Sequence, residues 1–477
     1  MEKKKTSIVF TGDIGFDRYM DHRWEDEHLL SAPVLDFFHS ADHTVANVEG
    51  ALIDAKDDGS RGVFFHSMNP AATRVLKDIH ADIWSIGNNH TMDAGREGVM
   101  STKKIAEEMG CLTMGAGMND TEASEPVYLD EAGGIGMFCV AYQAECIPAT
   151  ATEPGIFRWD DLDLIAKRIA EIKSRCRWCV IVSHGGEEFT SLPSPYTRDR
   201  YLKFLELGAD VVVAHHPHVP ENYELFDNGK AIFYSLGNFV STQESFDALL
   251  EGMGCFTIQK TVKDGQTSIE IIDPQIKPMV MHYNKDAGVF SPYMLSDYTE
   301  ELASQHELRT VLGDDSFTLA NLQNRFKEIM SLTVKPSSNT DLLDVTFNSD
   351  GDMVNSNGEY VDDTWSVSAA SSQSDTAADN SDSSDDSSDS SDDSSDSSDN
   401  YDYSDSSDNS DESDYSDESD YSDDSDYSDY SGSPPVPEAE KKLQCCKIKL
   451  LLCIRANRRL KKFAEVLKDK ILCCIKK

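Results

Sequence analysis

The sequence lacks any apolar run long enough to cross a membrane. A spanning helix needs about 20 consecutive apolar residues, and the basic C-terminal region offers at most the five from Leu450 to Ile454. The charged N-terminus, residues 1–5, is followed only by the short run Ile8 to Phe10 before Thr11 and Gly12. We therefore expect neither a signal peptide nor an N-terminal anchor, and we predict a cytoplasmic location.

A disulfide framework is also lacking, although the chain contains 11 cysteines. Their spacing is not that of a small secreted domain, so reducing surroundings are expected. Cys176 and Cys179 form a C-x-x-C pair where a predicted helix leads into a predicted strand. No second pair accompanies it, which favours simple packing over a redox pair or half of a zinc site.

An excess of positive charge is absent as well, since the formal net charge is −43. Residues 371–430 contain 23 acidic side chains and no Lys or Arg, whereas residues 441–477 contain 13 basic side chains against two acidic ones. Acidic residues still outnumber basic ones in the rest of the chain. Phosphate backbones require a basic surface, so we do not expect nucleic-acid binding.

The composition divides the chain into three parts. We predict a domain over residues 6–345, a disordered Ser/Asp-rich linker over 346–440 and a basic tail over 441–477. The linker cannot bury a core because it is polar, repetitive and self-repelling. A solvated spacer is the simplest interpretation, and weak binding of calcium or other cations by its many carboxylates is the alternative.

The tail contains apolar residues at helical spacing among lysines and arginines, including Leu460, Phe463, Leu467 and Ile471. Such a basic amphipathic helix can lie on an anionic membrane surface as a peripheral contact. Folding back onto the acidic linker is an equally simple alternative. Its paired cysteines could accept lipid in a suitable host.

Within the domain, short β-branched runs alternate with helical patterns, which predicts an α/β fold. Predicted helices cover residues 70–79, 93–109, 160–172, 198–207 and 305–332, and late antiparallel strands lie within 255–284. Six predicted strands each lead into polar or metal-ligating residues: Ile8–Phe10, Val45–Val48, Ile83–Ile86, Val180–Val182, Val211–Val213 and Ile232–Tyr234. Ligands collect at the carboxyl ends of strands in open α/β sheets, so these endings should converge on one crevice.

The residues at these endings are oxygen and imidazole donors, which suit Mn, Fe, Zn or Mg better than thiolate-preferring ions. Asp13 and the pair Asn89 and His90 follow two of the strands. His216 and His218 follow another, and we expect Pro217 to hold an extended backbone so that both rings face one side. His184 follows its strand alone, and a single histidine there is by itself more often an ordinary hydrogen-bonded residue.

In these segments the sequence resembles the CapA-like family of capsule and poly-gamma-glutamate synthesis proteins, which is similar to the calcineurin-like metallophosphoesterases. The resemblance spans residues 6–245 and implies a four-layer α/β sandwich, in which two sheets are flanked by helices. The shared segments are Gly12-Asp13-Ile14 with Arg18, Ala46-Asn47-Val48-Glu49-Gly50, Gly87-Asn88-Asn89-His90 with Asp93 and Gly95, Ser183-His184-Gly185-Gly186 with Glu188, Gly208-Ala209-Asp210, Ala214-His215-His216-Pro217-His218-Val219, and Tyr234-Ser235-Leu236-Gly237-Asn238-Phe239.

The resemblance also implies roles for individual residues. The positions that match metal ligands of the phosphoesterase-like core are Asp13, Asn89, His184, His216 and His218. Glu49 stands where those enzymes have a metal-bridging aspartate, and His90 matches their catalytic histidine, which would protonate a leaving oxygen. Two positions depart from the pattern, since Gly15 replaces a histidine and Gly185 replaces a tryptophan. The number of metal ions, one or two, stays open.

Two functions of different classes follow. In the first, a divalent metal lowers the pKa of a water that attacks a phosphoester or a gamma-glutamyl amide, with His90 or Glu188 moving the proton. In the second, the domain is a non-catalytic assembly or binding subunit of a polymer-synthesis complex. The expected partners are accordingly an anionic substrate or the polymer-synthesis machinery. Fold alone does not decide between them.

Overall fold

The computed structural model describes residues 2–15, 23–53, 66–241, 243, 245–264, 266–333, 346–347 and 353–354. All of these residues fall in one compact unit. The predicted boundary at residue 345 and the predicted tail lie outside the described residues. So does the predicted linker, apart from one short strand pair.

The described residues form nineteen strands, several of them only two residues long. In chain order they are β1 (Glu2–Ile14), β2 (His43–Val48), β3 (Ala51–Leu52), β4 (Ser67–Met68), β5 (Ala81–Ser85), β6 (Leu112–Met114), β7 (Ala116–Gly117), β8 (Val127–Leu129), β9 (Ile135–Ala141), β10 (Gly155–Ile156), β11 (Trp178–His184), β12 (Val211–His215), β13 (Tyr223–Leu225), β14 (Ala231–Phe233), β15 (Leu250–Lys263), β16 (Gln266–Asn284), β17 (Val289–Met294), β18 (Thr346–Phe347) and β19 (Met353–Val354).

Nine α-helices connect or cover these strands within the described part of the chain. They are α1 (Ala32–His39), α2 (Thr73–Asp78), α3 (Gly95–Glu108), α4 (Asp120–Ala123), α5 (Leu162–Arg175), α6 (Pro195–Leu207), α7 (Glu300–Gln305), α8 (Glu307–Thr310) and α9 (Leu319–Ser331). Short 3-10 turns occur at Arg23–Glu25, Pro70–Ala72, Glu131–Gly133 and Asp247–Leu249.

Two large sheets carry the fold. The first has the order β17-β16-β15-β1-β2-β5-β6, and the second has the order β13-β14-β12-β11-β9-β8. The strands β1, β2, β5 and β6 are parallel, as are β9, β11, β12 and β14. The late strands β15 and β16 are antiparallel, which confirms the prediction for residues 255–284.

Alternate residues of the second sheet show how the layers pack. Val180 and Val182 of β11 belong to the core shared with the first sheet, whereas Ile181 between them packs in a second core with α5 and α6. Helices α1, α2 and α3 contact strands of the first sheet. The predicted four-layer α/β sandwich, with two sheets between helices, is therefore confirmed.

Four of the five predicted helices are present with boundaries shifted by a few residues, but the helix predicted over residues 305–332 was wrong in extent. His306 has an extended backbone, with φ −65° and ψ 143°, which ends α7 and begins α8. A second break follows at Gly313, with φ 70°, before the Thr318 side chain caps α9. The apolar spacing of this region is therefore divided among three helices.

The C-x-x-C pair lies where helix α5 meets strand β11. Cys176 ends the helix, and Cys179 is buried in the strand. Both are free cysteines packed in the second core, and burial raises the pKa of the Cys179 thiol well above its usual value. These contacts agree with the packing interpretation.

No helix among the residues that the structure describes combines the length and the apolar character needed to span a membrane.

The two sheets meet at the carboxyl end of β1. The Asp13 amide donates to the Gly237 carbonyl at 2.9 Å, and the Phe239 amide donates to the Asp13 carbonyl at 2.9 Å. Gly12 permits this approach, because a Cβ atom at this position would lie 2.4 Å from the Asn238 carbonyl oxygen. The end of β1 is thus pinned between the sheets, next to the ends of β2, β11 and β12.

Candidate metal centre

Asp13 is the best anchored acidic side chain at the strand ends, and it is buried. Asn47 Nδ2 donates to its Oδ1 at 2.7 Å, and the His216 amide donates to its Oδ2 at 3.2 Å. His218 Nδ1 lies 3.3 Å from the same Oδ2. Strand β2 and the loop after β12 therefore both contact the one carboxylate that β1 carries.

Glu49 lies at the middle of the predicted histidines. Its Oε1 is 3.8 Å from the Nε2 atoms of His90, His184 and His218. The side chain is 2% exposed, and this Oε1 has no hydrogen-bond partner. A buried carboxylate oxygen without a partner is costly unless a cation or proton occupies the space before it.

The loop that carries His216 and His218 is kinked rather than extended, so the predicted backbone was wrong. The φ angles are +100° for His216 and +59° for His218, values that side chains with a Cβ rarely adopt. The kink points the His216 amide at Asp13 while both rings stay on the site side, with centroids 5.9 Å apart. Both rings therefore face one side, as predicted, but the backbone adopts a strained conformation instead of an extended one.

Asn89 and His184 contact each other across the two sheets. His184 Nε2–H donates to Asn89 Oδ1 at 3.0 Å, and Asn47 Nδ2 lies 3.5 Å from His184 Nδ1. The neighbouring His215 faces away from this contact, because its Nε2–H donates to the Thr11 carbonyl at 2.9 Å. His184 therefore belongs to the site and His215 to the joint between the sheets.

His90 is oriented by Asp93. Its Nδ1–H donates to Asp93 Oδ2 at 2.7 Å, which leaves Nε2 directed toward Glu49. The ring of His66 stacks on that of His90 with centroids 3.9 Å apart, and the His66 amide also donates to Asp93 Oδ2. A Cβ at Gly15 would lie 3.1 Å from His66 Nδ1, so His66 fills space that a side chain at residue 15 would need.

Glu188, predicted to move protons, lies with His216 and His218. We call Asp13, Glu49 and His218 the first group, and Glu188, His216 and His218 the second group. Within each group one ligand atom per residue lies within 4.8 Å of the others. His218 belongs to both groups, so two cations bound by the two groups would both lie next to His218.

Glu145, absent from the predicted site, approaches the second group. Its Oε2 lies 2.7 Å from His216 Nε2. Glu145 follows β9, an apolar strand that was not among the six whose endings were followed. The same rule applied to Ile135–Ala141 would have found this residue, whereas no local pattern identifies His66.

Burial and the neighbouring charge of His218 have opposite effects on the pKa values of Asp13 and Glu49. Burial acts to raise the pKa of Asp13, but hydrogen bonding and charge from His218 hold it well below its usual range. Burial raises the pKa of Glu49 to about 7, although His218 acts against the shift. The pKa of His184 is lowered well below its usual value by burial and by His216.

The other two histidines shift the opposite way. Burial lowers the pKa of His218, but the charge of Glu49 and the contact with Asp13 raise it to about 10. Burial likewise lowers the pKa of His216, and the charge of Glu145 raises it to about 9. The surrounding carboxylates thus favour positive charge at both imidazoles.

The residues fit a divalent metal ion. Carboxylate, amide oxygen and imidazole donors converge, which suits the predicted Mn, Fe, Zn or Mg. The buried atoms without hydrogen-bond partners include Asn47 Oδ1, Glu49 Oε1 and both ring nitrogens of His216. Unpaired ligand atoms of this kind are the expected lining of a cation site.

Comparison with known proteins gives a consistent assignment. Residues 7–243 match the sequence model of the bacterial capsule synthesis protein PGA_cap family. The chain is 29% identical over 243 residues to the PGA biosynthesis protein CapA of Bacillus subtilis (strain 168), covering 50% of this chain and 63% of that protein. It is 28% identical over 256 residues to the capsule biosynthesis protein CapA of Bacillus anthracis, covering 51% and 61%. The chain spans less than two thirds of the length of these relatives.

One similar solved structure is the calcineurin-like phosphoesterase YfkN from Bacillus subtilis, with a TM-score of 0.37 and 14% identity over 68% of this chain and 100% of that one. The matched range, residues 7–243, confirms the resemblance predicted over residues 6–245. Through this domain the chain belongs to the CapA-like family of bacterial capsule synthesis proteins.

Proposed function

We propose that the domain is a metal-dependent hydrolase acting on a phosphoester or a gamma-glutamyl amide during synthesis of an anionic polymer such as capsule or poly-gamma-glutamate. The observation that carries the proposal is Glu49. Its unpartnered Oε1 is buried at 3.8 Å from three imidazole nitrogens and beside Asp13. The convergence of three imidazoles and a second carboxylate on one buried carboxylate oxygen is the donor arrangement that a divalent metal prefers.

The ion would be held by the first group, by the second group or by both, with Asn89 and His184 alongside. A bound divalent metal supplies Lewis acidity at the substrate. The many carboxylates would otherwise repel an anionic substrate, so a cation also makes binding of that substrate possible.

His90 is the residue suited to move a proton. Asp93 holds its Nδ1–H at 2.7 Å, which fixes the tautomer and leaves proton exchange to Nε2. That atom faces the site at 3.8 Å from Glu49 Oε1. His90 therefore acts as the general acid for the leaving oxygen or nitrogen.

The proposal is tested on the full chain by elemental analysis and by hydrolysis of bis(p-nitrophenyl) phosphate and a gamma-glutamyl anilide. We expect metal and turnover of one of these substrates. Asp13→Asn should lower turnover by roughly 100-fold or more, because loss of an outer-shell contact alone costs 10- to 100-fold. The matched control is Asp36→Asn on the exposed face of α1, which should resemble the wild type.

A second function is favoured by the names of the relatives, both of which are described as biosynthesis proteins. In that case the domain binds the polymer or its synthesis machinery without hydrolysing a bond. Wild-type protein that holds no metal and hydrolyses neither substrate would support this function and exclude the first. Protein that holds metal but hydrolyses neither substrate would support the metal site and would show that neither of these two bond types is its target.

A further inference from the structure

Glu145 lies in the loop after β9, and hydrogen bonds and ring packing hold this loop in place. Strand β9 ends at Ala141, and the next amide, of Tyr142, donates to the carbonyl of His184 at 2.9 Å. The Tyr142 ring packs on Trp159 with centroids 4.6 Å apart. The Glu145 amide then donates to the Tyr142 carbonyl at 3.2 Å, which closes a turn. These two hydrogen bonds fix the position of Glu145 relative to the backbone of His184, a predicted metal ligand.

The contact between Glu145 and His216 is close but is not aligned as a hydrogen bond. Glu145 Oε2 lies 2.7 Å from Nε2, yet both ring nitrogens of His216 lack hydrogen-bond partners. The His216 side chain is 1% exposed, and its backbone is strained at φ +100°. The backbone strain and the burial of this imidazole both cost free energy, and no well-formed hydrogen bond of the ring offsets that cost.

Structural histidines in this chain behave differently. His306 is fully buried, and its Nε2–H donates to the Met281 carbonyl while its Nδ1 accepts from the Leu308 amide. His43 Nδ1–H donates to Asp82 Oδ2 at 2.6 Å with proper alignment. An ordinary structural ion pair between Glu145 and His216 would be expected to show such alignment as well.

The second group is also incomplete without another donor. It contains three residues, and one of them, His218, contacts Asp13 of the first group. If His218 serves the first group, two donors remain, whereas catalytic zinc sites use three protein ligands, carboxylate or imidazole, and leave the fourth position open. Glu145 offers the missing carboxylate on the side of His216, with its Oε2 2.7 Å from His216 Nε2.

We propose that Glu145 is an additional metal ligand of the second group. This inference rests on the proposed function, since it assumes that the site holds metal. Glu145 then allows His216 and Glu188 to retain an ion while His218 serves the first group. The chain would accordingly hold two divalent ions rather than one.

The test measures zinc stoichiometry and affinity on the full chain by calorimetric titration with Zn²⁺, without reference to activity. We expect two ions for the wild type. Glu145→Gln should lose one ion or bind it roughly tenfold or more weakly, as changes at metal sites do. The control is Glu153→Gln, which alters an exposed glutamate just before β10 whose side chain pairs with Arg96.

A second variant separates ligation from a structural pairing. Glu145→His retains a zinc ligand but places an imidazole beside His216, so it should bind two ions, whereas it could not replace a carboxylate in an ion pair. Unchanged zinc binding by Glu145→Gln, or tighter binding because a blocking carboxylate has been removed, would overturn this inference alone. A wild type that binds no zinc, manganese or magnesium would overturn the proposed function together with it.

Discussion

At the scale of single residues, backbone strain is concentrated around the site. Seven non-glycine residues in the described part of the chain have positive φ, and four of them are Phe189, His216, His218 and Val240. The Phe189 amide donates to the Pro217 carbonyl, and the Val240 amide donates to the buried Glu251 carboxyl. Strain of this kind persists only where surrounding contacts impose it, and it is commonest at functional sites.

The strain at His216 has a measurable consequence. Glycine accepts φ +100° without penalty, whereas alanine does not, so metal-free His216→Gly should be more stable than His216→Ala by about 1 kcal/mol. The comparison removes the same ring from both proteins, so lost packing cancels. The measurement is the free energy of unfolding by urea in the presence of a chelator.

The matched control is His184, which lies within strand β11 and is absent from the positive-φ residues. There glycine should be less stable than alanine by about 0.5–1 kcal/mol, because it gains no relief and loses more entropy. An alanine variant of His216 as stable as the glycine variant would show that the backbone of this loop relaxes when the ring is removed.

At the scale of elements, the segments after β15 contain a second set of buried histidines, His282 and His306. Burial lowers the pKa of His282 in β16 to about 4 and that of His306 before α8 to about 3. His282 Nδ1 and Tyr298 Oη share a hydrogen bond of 2.8 Å, and the Leu308 amide donates to His306 Nδ1, which holds the His306 ring neutral.

Acid should therefore destabilise the protein through these elements. Both native pKa values lie below the usual 6.5, so between about pH 6.5 and 4 the unfolded chain binds protons that the native protein does not. The free energy of unfolding should fall as pH falls through this window, by about 1.4 kcal/mol per pH unit for each histidine.

The check is His282→Phe, which keeps an aromatic ring but removes one titrating group. Its unfolding free energy should depend less steeply on pH in that window by about one proton. Above pH 7 the two proteins should run parallel, separated by a constant offset from the lost Tyr298 contact. Equal slopes below pH 6 would show that His282 takes up its proton in the native protein.

The order of strands and helices was predictable because apolar runs and their polar endings are local features of the sequence. Those endings brought together Asp13, Glu49 and the predicted histidines. Glu145 was not predicted because the ending of β9 was not followed. The kink at His216 and His218 accompanies the hydrogen bond from the His216 amide to the Asp13 carboxylate, a contact between residues distant in sequence that spacing cannot reveal. The stacking of His66 on His90 has the same origin.

At the scale of the whole molecule, the two sheets and their helices are described up to residue 333, before the Ser/Asp-rich segment begins. We therefore predict that a protein ending at residue 345 melts within a few degrees of the full chain. Circular dichroism melts would check this. Aggregation, or a much lower melting temperature that a protein ending at residue 355 restores, would place the strand pair β18 and β19 within the folding unit.

The same series tests the proposed membrane contact of the tail. The full chain should bind anionic vesicles at low salt, and a protein ending at residue 440 should not, because each Lys or Arg near an anionic surface contributes about 1 kcal/mol. Flotation with phosphatidylserine vesicles measures this. If the full chain stays unbound while the isolated tail peptide binds, the acidic linker occupies the tail instead.

The close approach of Gly12 to Asn238 also has a consequence for the order of events during synthesis. The backbone that holds Asp13 on both sides comes from Gly237 and Phe239, which are synthesised long after it. More than two hundred residues must therefore emerge before the first carboxylate of the site acquires its setting. The chain can therefore complete this setting only after residue 239 has been synthesised, and an ion bound there would connect β1 to the segment that follows β14.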